Sequence, residues 1–186
     1  MVRVGIILMF DNNWLGGAQY YRNLIKAVNS VPNKEVEFIL FIDSSVDDEK
    51  LKEFQHLEII KTKLLKRFSV PWFFRKLISK LFEVDFSLGR LLQKNKIDVL
   101  SHSGWLGKHS KIPTMGWIPD FQHMHLPGFF TKDELKVRDK EFLKLCENCT
   151  VVIVSSYDAL NDLRRFCPKA VSKSVVLQFA VPPHKK

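Results

Sequence analysis

The chain has 186 residues, of which 46% are hydrophobic, which is enough for one well-packed core and makes a single domain the simplest organisation. The net charge of +9 favours an anionic partner, and the longest apolar runs are too short to span a bilayer. Cys146, Cys149 and Cys167 are odd in number and unevenly spaced, which excludes a disulfide framework. Packed thiols in a cytoplasmic protein are expected, with a C-x-x-C metal or redox site as the alternative.

Apolar runs and helical periodicities alternate along the chain. Strands are predicted at residues 2–10, 36–42, 56–60, 97–102, 114–118, 150–155 and 174–179. Helices are predicted at residues 18–31, 72–82, 86–94, 132–148 and 157–166. The form Thr131-Lys-Asp-Glu134 predicts a capping box at the start of the fourth of these helices. The alternation predicts an α/β fold, a doubly wound, mostly parallel sheet flanked by helices, as a single Rossmann-like domain.

Gly16 and Gly17 lie in the segment predicted as the loop between the first strand and the first helix. In a parallel sheet, ligands bind outside the carboxyl ends of the strands, so loops that follow strands carry the predicted site. Glycines there let backbone N–H groups approach an anion at a helix N-terminus. Because neither the G-x-G-x-x-G fingerprint nor a Walker lysine is present, a phosphate contact and a flexible turn both remain open.

A basic and aromatic stretch follows at residues 61–82, and it contains no acidic residue. Its apolar side chains recur at helical spacing beside lysine and arginine, which is typical of a helix at a membrane interface. The side chains predicted to contact an anionic membrane are Lys66, Arg67, Trp72, Phe73, Arg75, Lys76 and Lys80. A helix that packs this stripe on its own sheet is the alternative. Nucleic acid is not expected as a partner, because no nucleic-acid motif accompanies the stretch.

The segment WIPDFQHMHLPGFF, residues 117–130, combines titratable and aromatic side chains, and its prolines and glycine predict a loop without regular helix. Asp120, His123 and His125 are candidates for catalytic proton handling or sugar hydrogen bonds, because imidazole titrates near neutral pH and a carboxylate orients it. The aromatic side chains, Trp117 among them, are candidates for sugar stacking. Loop packing is the alternative, and a metal site is not expected because His-x-His has no evident third ligand.

Several of these segments, in this order, resemble one enzyme family. They are a first strand ending in a G-G loop, the sequence WIPDFQHMHLP, a helix beginning FTKDELKVRD, and the sequence VIVSSYDA. Over nearly the whole chain they resemble the N-terminal domain of family-4 glycosyltransferases. Members of that family are retaining GT-B enzymes that use nucleotide sugars.

The resemblance implies roles for the candidate residues. The resemblance places Gly16 and Gly17 near the donor phosphates. It places Asp120, His123 and His125 at the border of the reaction centre. The residues expected to bind the acceptor are Trp117, Phe121, Ser103 and Trp105. Retaining transfer passes through an oxocarbenium-like state, so the protein positions the acceptor hydroxyl and stabilises phosphate charge without a nucleophilic side chain.

The resemblance also implies a missing half. The donor-binding domain is expected beyond residue 186 or in a partner chain, and this half alone is expected to transfer little or no sugar. No cofactor is expected in this domain, since the nucleotide sugar is a substrate of the complete enzyme. A glycan or lipid-linked acceptor for cell-surface glycan biosynthesis is expected, with the protein cytoplasmic or peripheral on the inner face of the plasma membrane. A stand-alone, non-catalytic module that binds carbohydrate or membrane is the alternative.

Overall fold

A computed structural model describes residues 1–10, 15–33, 35–103, 105–107 and 110–179, and its centre is one parallel β-sheet. The strands are β1 (Val2–Ile7), β2 (Val36–Asp43), β3 (Glu58–Thr62), β4 (Val99–Ser101), β5 (Thr114–Ile118), β6 (Val151–Val154) and β7 (Ser174–Val176). They are ordered β3-β2-β1-β4-β5-β6-β7, and each neighbouring pair is parallel. The predicted fold class is confirmed.

Helices cover both faces of this sheet. Within the described residues the α-helices are α1 (Leu15–Asn29), α2 (Val70–Phe82), α3 (Phe86–Lys94), α4 (Gln122–His125), α5 (Lys132–Asn148) and α6 (Tyr157–Phe166). Short 3-10 helices lie at Asp48–Phe54, Pro127–Phe129 and Pro168–Lys173. Because neighbouring strand residues point to opposite faces, Leu40 packs in the cluster that contains α1 side chains, whereas Phe41 packs with α3. On the α3 face, α5 and α6 cover β5 and β6.

Two local predictions about helices are corrected by the structure. Helix α1 begins at Leu15, three residues before the predicted start, so Gly16 and Gly17 lie in its first turn and not in the loop before it. The loop 117–130 contains the one-turn helix α4, which is short enough to fit between Pro119 and Pro127. By contrast, the capping box of α5 is confirmed, because Thr131 and Glu134 exchange both of its hydrogen bonds.

Helix α2 lies outside the hydrophobic core. None of its residues is buried, so the interpretation that it packs its apolar stripe on the sheet is wrong. It is joined to α3 by a short turn that lies on the segment after β4. Gly107 makes this contact possible: its φ is 104°, and a Cβ atom there would lie 2.6 Å from the carbonyl oxygen of Glu83. None of the helices in the described part of the chain is long and apolar enough to cross a bilayer.

Candidate functional site

The strand order places a crevice at the carboxyl edge between β1 and β4. The chain continues from β1 to β2 on one side, while β4 to β7 extend on the other, and ligands in parallel sheets bind where the order reverses in this way. Ser103 joins the two strand ends. Its Oγ accepts a hydrogen bond from the Ile7 amide at 2.9 Å and donates one to the Ser101 carbonyl at 3.0 Å. The predicted acceptor residue Ser103 therefore lies at the crevice, where its hydroxyl shapes the floor.

His102 is the central polar side chain of this crevice, and no motif in the sequence marks it as a functional residue. Its φ of 57° is left-handed, which turns the chain sharply after β4. Its Nε2 lies 2.7 Å from the Tyr20 hydroxyl and its Nδ1 lies 2.7 Å from Ser101 Oγ. The Tyr21 hydroxyl donates to the His102 carbonyl at 3.0 Å. Burial lowers the pKa of His102 from 6.5 to about 4, so the imidazole is neutral at physiological pH.

An aromatic wall stands beside His102. The Tyr20 ring stacks on Trp117 of β5 with centroids 4.3 Å apart and planes 8° apart. Phe179, which follows β7, meets the Tyr20 ring edge-on at 5.3 Å and is more than half exposed. Burial raises the pKa of the Tyr20 hydroxyl, which therefore stays protonated and available as a donor. Trp117 thus lies at the predicted site, but Tyr20 covers most of its ring, and the exposed aromatic face belongs to Phe179.

The first turn of α1 lies toward the same edge, because α1 is the first helix after the carboxyl end of β1. Gly16 and Gly17 occupy that turn. The first amides of a helix have no intrahelical acceptor, and the helix dipole adds positive potential there. Helix N-termini of this kind are common anion sites, although Gly17 itself is buried.

Asp120 organises the loop after β5 and forms no hydrogen bond with His123 or His125. It is exposed, and its Oδ1 accepts a hydrogen bond from the Gln122 amide at 3.0 Å, at the start of α4. This is an Asx-type turn, which orders the backbone locally. The geometry therefore gives Asp120 a positioning role in the loop.

His123 and Phe121 are packing residues. His123 is 3% exposed and lies among the rings of Phe121, Phe142 and Phe166. Its Nε2 is 3.1 Å from Asp139, while its buried Nδ1 has no hydrogen-bond partner within the described residues. Phe121 is 1% exposed and leaves no ring face for a sugar. Both residues were predicted to face a ligand, and their burial opposes that role.

His125 is the exposed histidine of the loop. Its side chain is 55% accessible, and its Nε2 lies 2.8 Å from Oδ2 of Asp162 on α6, whose side chain is 13% accessible. A carboxylate at this distance orients the ring and favours the tautomer with the proton on Nε2, which leaves Nδ1 as an acceptor. Of the residues predicted to be catalytic, His125 is the one with the geometry of an oriented, accessible base. Asp162 lies 37 residues further along the chain, too far for a local sequence pattern to connect it with His125.

Trp105 lies apart from this arrangement. Its ring is half-buried, and the Lys144 ammonium of α5 is 5.4 Å from the ring centroid, within the range of a cation–π contact. Helix α5 occupies that side of the ring, so the predicted acceptor contact at Trp105 is limited to its other face.

The three cysteines are free thiols near the end of α5 and the end of α6. Burial is the main reason that the pKa of Cys146 is raised to about 12 and that the pKa of Cys149 is also raised. Protonated thiols are poor nucleophiles and poor metal ligands at neutral pH. Across the described ranges, no group of three or more His, Cys, Asp and Glu side chains is arranged to hold a metal ion.

The fold has a counterpart among solved structures. The chain superposes on S. aureus MnaA, solved as a co-structure with UDP, with a TM-score of 0.57 and 15% sequence identity. The match covers 95% of this chain and 43% of MnaA, so the chain spans less than half the length of that protein. At this identity the likeness shows the fold alone. No protein-family model matches the chain. No curated protein matches it.

Proposed function

We propose that the chain is the acceptor-binding half of a retaining glycosyltransferase that takes its sugar from a nucleotide-sugar donor. The observation that carries the proposal is the crevice between β1 and β4, where a helix N-terminus, a neutral imidazole and an aromatic wall converge. A structure of the same fold has been solved with UDP, and this supports a nucleotide-linked donor. The resemblance of WIPDFQHMHLP and its neighbouring segments to family-4 enzymes supports transfer to an acceptor.

The first turn of α1 is suited to the donor phosphates. When the glycosidic bond to the nucleotide breaks, negative charge grows on the leaving diphosphate. The amides around Gly16 and Gly17 and the positive end of the helix dipole stabilise that charge, and no side chain at these two positions blocks the approach.

His125 and Asp162 are suited to the acceptor. Asp162 holds the ring through Nε2, and Nδ1 then accepts the proton of an acceptor hydroxyl as that hydroxyl attacks the sugar. His102 acts one step away, as a positioning residue, because its ring fixes the hydroxyl of Tyr20 and thereby the aromatic wall. This division leaves His123 in the core as a packing residue.

The proposed enzyme needs a second, donor-binding half, in the same polypeptide or in a partner chain. The nucleotide sugar is its substrate, and neither a further cofactor nor nucleic acid is part of the proposal. A stand-alone, non-catalytic carbohydrate-binding module is the second candidate, and the burial of His123 favours it over an enzyme because it removes one candidate catalytic side chain. The glycan or lipid-linked sugar that is the acceptor of the proposed enzyme would be the bound ligand of the module.

The test begins with the coding sequence beyond Lys186. If a second Rossmann-like half follows or lies in an adjacent gene, the complete enzyme is offered a panel of nucleotide sugars, and release of the nucleotide of each donor is measured. We expect release with one of them, and a fall in kcat of about 100-fold or more for His125→Asn and Asp162→Asn. Asp139→Asn, at the other histidine–aspartate pair, is the matched control and should keep the activity. A complete protein that releases no nucleotide from any donor would contradict the proposal.

A further inference from the structure

Helix α2 presents its most apolar face to solvent. Its exposed apolar residues recur at positions i, i+3, i+4, i+7 and i+11, which is one stripe along a helix. They are Val70, Phe73, Phe74, Leu77 and Leu81, each between 44% and 69% exposed. Phe82 and Phe86 extend the patch at its end and are also more than half exposed. Exposed apolar side chains grouped in this way are typical of an interaction surface.

The opposite side of α2 is fixed to the protein, so the orientation of the stripe is determined. The Arg75 Nε donates to Asp85 Oδ2 at 2.7 Å, and both side chains are nearly buried. The Arg75 Nη1 donates to the Leu64 carbonyl at 3.1 Å. Trp72 is half-buried on the same side. Arg75, predicted to contact a membrane, therefore anchors α2 with its charge neutralised by Asp85.

The remaining basic residues of the stretch lie around the stripe, and most of them have no acidic partner. Lys61 forms an ion pair with Asp48 at 2.6 Å and is used within the protein. Among the described residues, the exposed bases that form no ion pair here are Lys63, Lys66, Arg67, Lys76 and Lys80. No acidic residue occurs between Glu58 and Glu83 in the sequence, and of these bases Lys76 is attracted by the carboxylates of Asp85 and Glu141. The covering body must therefore accept apolar side chains and offer negative charge at the same time.

Phe68 adds a further exposed aromatic side chain at the start of α2. It is 88% exposed and has a φ of 62°, a left-handed conformation that is costly for a bulky residue. The turn that holds it is closed by Ser69, whose Oγ donates to the Lys63 carbonyl and accepts from the Trp72 amide. The exposed ring lies at the start of α2, with its centroid 5.8 Å from that of Trp72.

We propose that α2 and the preceding turn, residues 63–82, form a docking surface for an anionic lipid bilayer. Aromatic and aliphatic side chains enter the region between headgroups and acyl chains, and the surrounding lysines and Arg67 bind lipid phosphates. A second copy of the chain is a poorer occupant, because a two-fold interface brings the same five unpaired bases of each copy together. Nucleic acid offers phosphates but gives no cover to the exposed stripe.

The experiment measures binding of the purified chain to sedimented vesicles of phosphatidylcholine, with and without phosphatidylglycerol. We expect binding only with the anionic lipid, and release on raising the salt concentration. The variant Lys66→Glu/Lys80→Glu should bind at least about tenfold more weakly, because two attractions become repulsions. The variant Phe73→Ser/Leu77→Ser should lose a similar factor at low salt, where charge alone would still attract the protein.

A matched control makes the same change of charge elsewhere. Arg164→Glu/Lys169→Glu replaces two exposed bases near β6 and β7, at the opposite end of the sheet, and should bind as the wild type does. Circular dichroism confirms that each variant is folded. The proposal is overturned if the wild type binds no anionic vesicles, or if the control and Lys66→Glu/Lys80→Glu lose binding equally. Dimerisation abolished by Phe73→Ser/Leu77→Ser without vesicle binding, or tight binding to single-stranded RNA in place of vesicles, overturns it too.

Discussion

His102 shows how burial sets the chemical state of a single residue. The ring is held by Tyr20 and Ser101, and its pKa falls to about 4 because the surroundings disfavour the charged form. The unfolded chain protonates this histidine near 6.5, so the stability that the neutral ring contributes is complete above that pH. It is lost as the pH falls from 6.5 towards 4, because the unfolded state then binds more protons.

The first prediction concerns this pH dependence. Between about pH 7 and about pH 5, we expect His102 alone to account for a loss of about 2 kcal/mol in the free energy of unfolding. Urea titrations at the two pH values measure it. His102→Asn removes the titration while accepting the left-handed backbone, so its loss over the same interval should be smaller by that amount. Equal losses for the two proteins would show that His102 is not held neutral.

The second prediction separates the two histidines of the loop after β5. His123 lies in a ring of phenylalanines with an unsatisfied Nδ1, and its partner Asp139 is half exposed. Replacing His123 by Phe removes a costly buried polar atom and leaves Asp139 to water. We expect His123→Phe to unfold within about 1 kcal/mol of the wild type. In a complete enzyme its kcat should be unchanged; a large fall in kcat with normal stability would return His123 to the reaction centre.

At the scale of elements, local sequence patterns predicted where helices and strands occur. They did not predict what each element packs against. The capping box fixes the start of α5 because its partners are three residues apart. The start of α1 was predicted three residues too late, because no comparable capping pattern marks the boundary near Gly16. The stripe of α2 was predicted from its spacing, but spacing does not say whether a stripe faces the core or solvent. That direction is set by Arg75 and Asp85, whose contact is not a local pattern.

The third prediction tests that anchor. Asp85 also accepts the Leu88 amide at 3.1 Å and so caps α3. Arg75→Ala leaves the nearly buried carboxylate of Asp85 without a counter-charge. We expect this to lower the free energy of unfolding by about 3–5 kcal/mol. Lys76→Ala, an exposed neighbour on the same helix, should change it by less than about 0.5 kcal/mol. A loss of under about 1 kcal/mol for Arg75→Ala would mean that α2 is held mainly by other contacts.

At the scale of the molecule, the candidate site depends on contacts between residues that are far apart in the sequence. Tyr20 and His102 are separated by 82 residues, and only the order of the strands brings them together. The edge that carries the site was predicted, because loops after parallel strands share one edge. The side chains that meet at this edge were not predicted, because neither Tyr20 nor His102 belongs to a recognisable motif.

The carboxyl edge also gives the proposed docking a direction. Helix α2 starts after β3 and ends in the turn whose Asp85 amide bonds to the Leu106 carbonyl, beyond β4, so both of its ends lie at the edge that carries the crevice. The C-terminal end of α1 lies at the opposite, amino edge, just before β2. A bilayer bound to α2 therefore lies beside the crevice and away from the end of α1, which suits an acceptor carried by a lipid.

The fourth prediction tests this orientation with brominated lipids, which quench nearby tryptophan fluorescence. Phe74→Trp places an indole on the apolar stripe, whereas Val31→Trp places one at the amino edge, and both native side chains are more than half exposed. On anionic vesicles we expect the Phe74→Trp protein to be quenched clearly more than the wild type. Val31→Trp should gain no quenching, because a folded domain holds the amino edge beyond the reach of bromine atoms in the acyl chains. Equal quenching of the two would mean that the protein binds the membrane without a fixed orientation, and the crevice would then have no defined position beside the lipid.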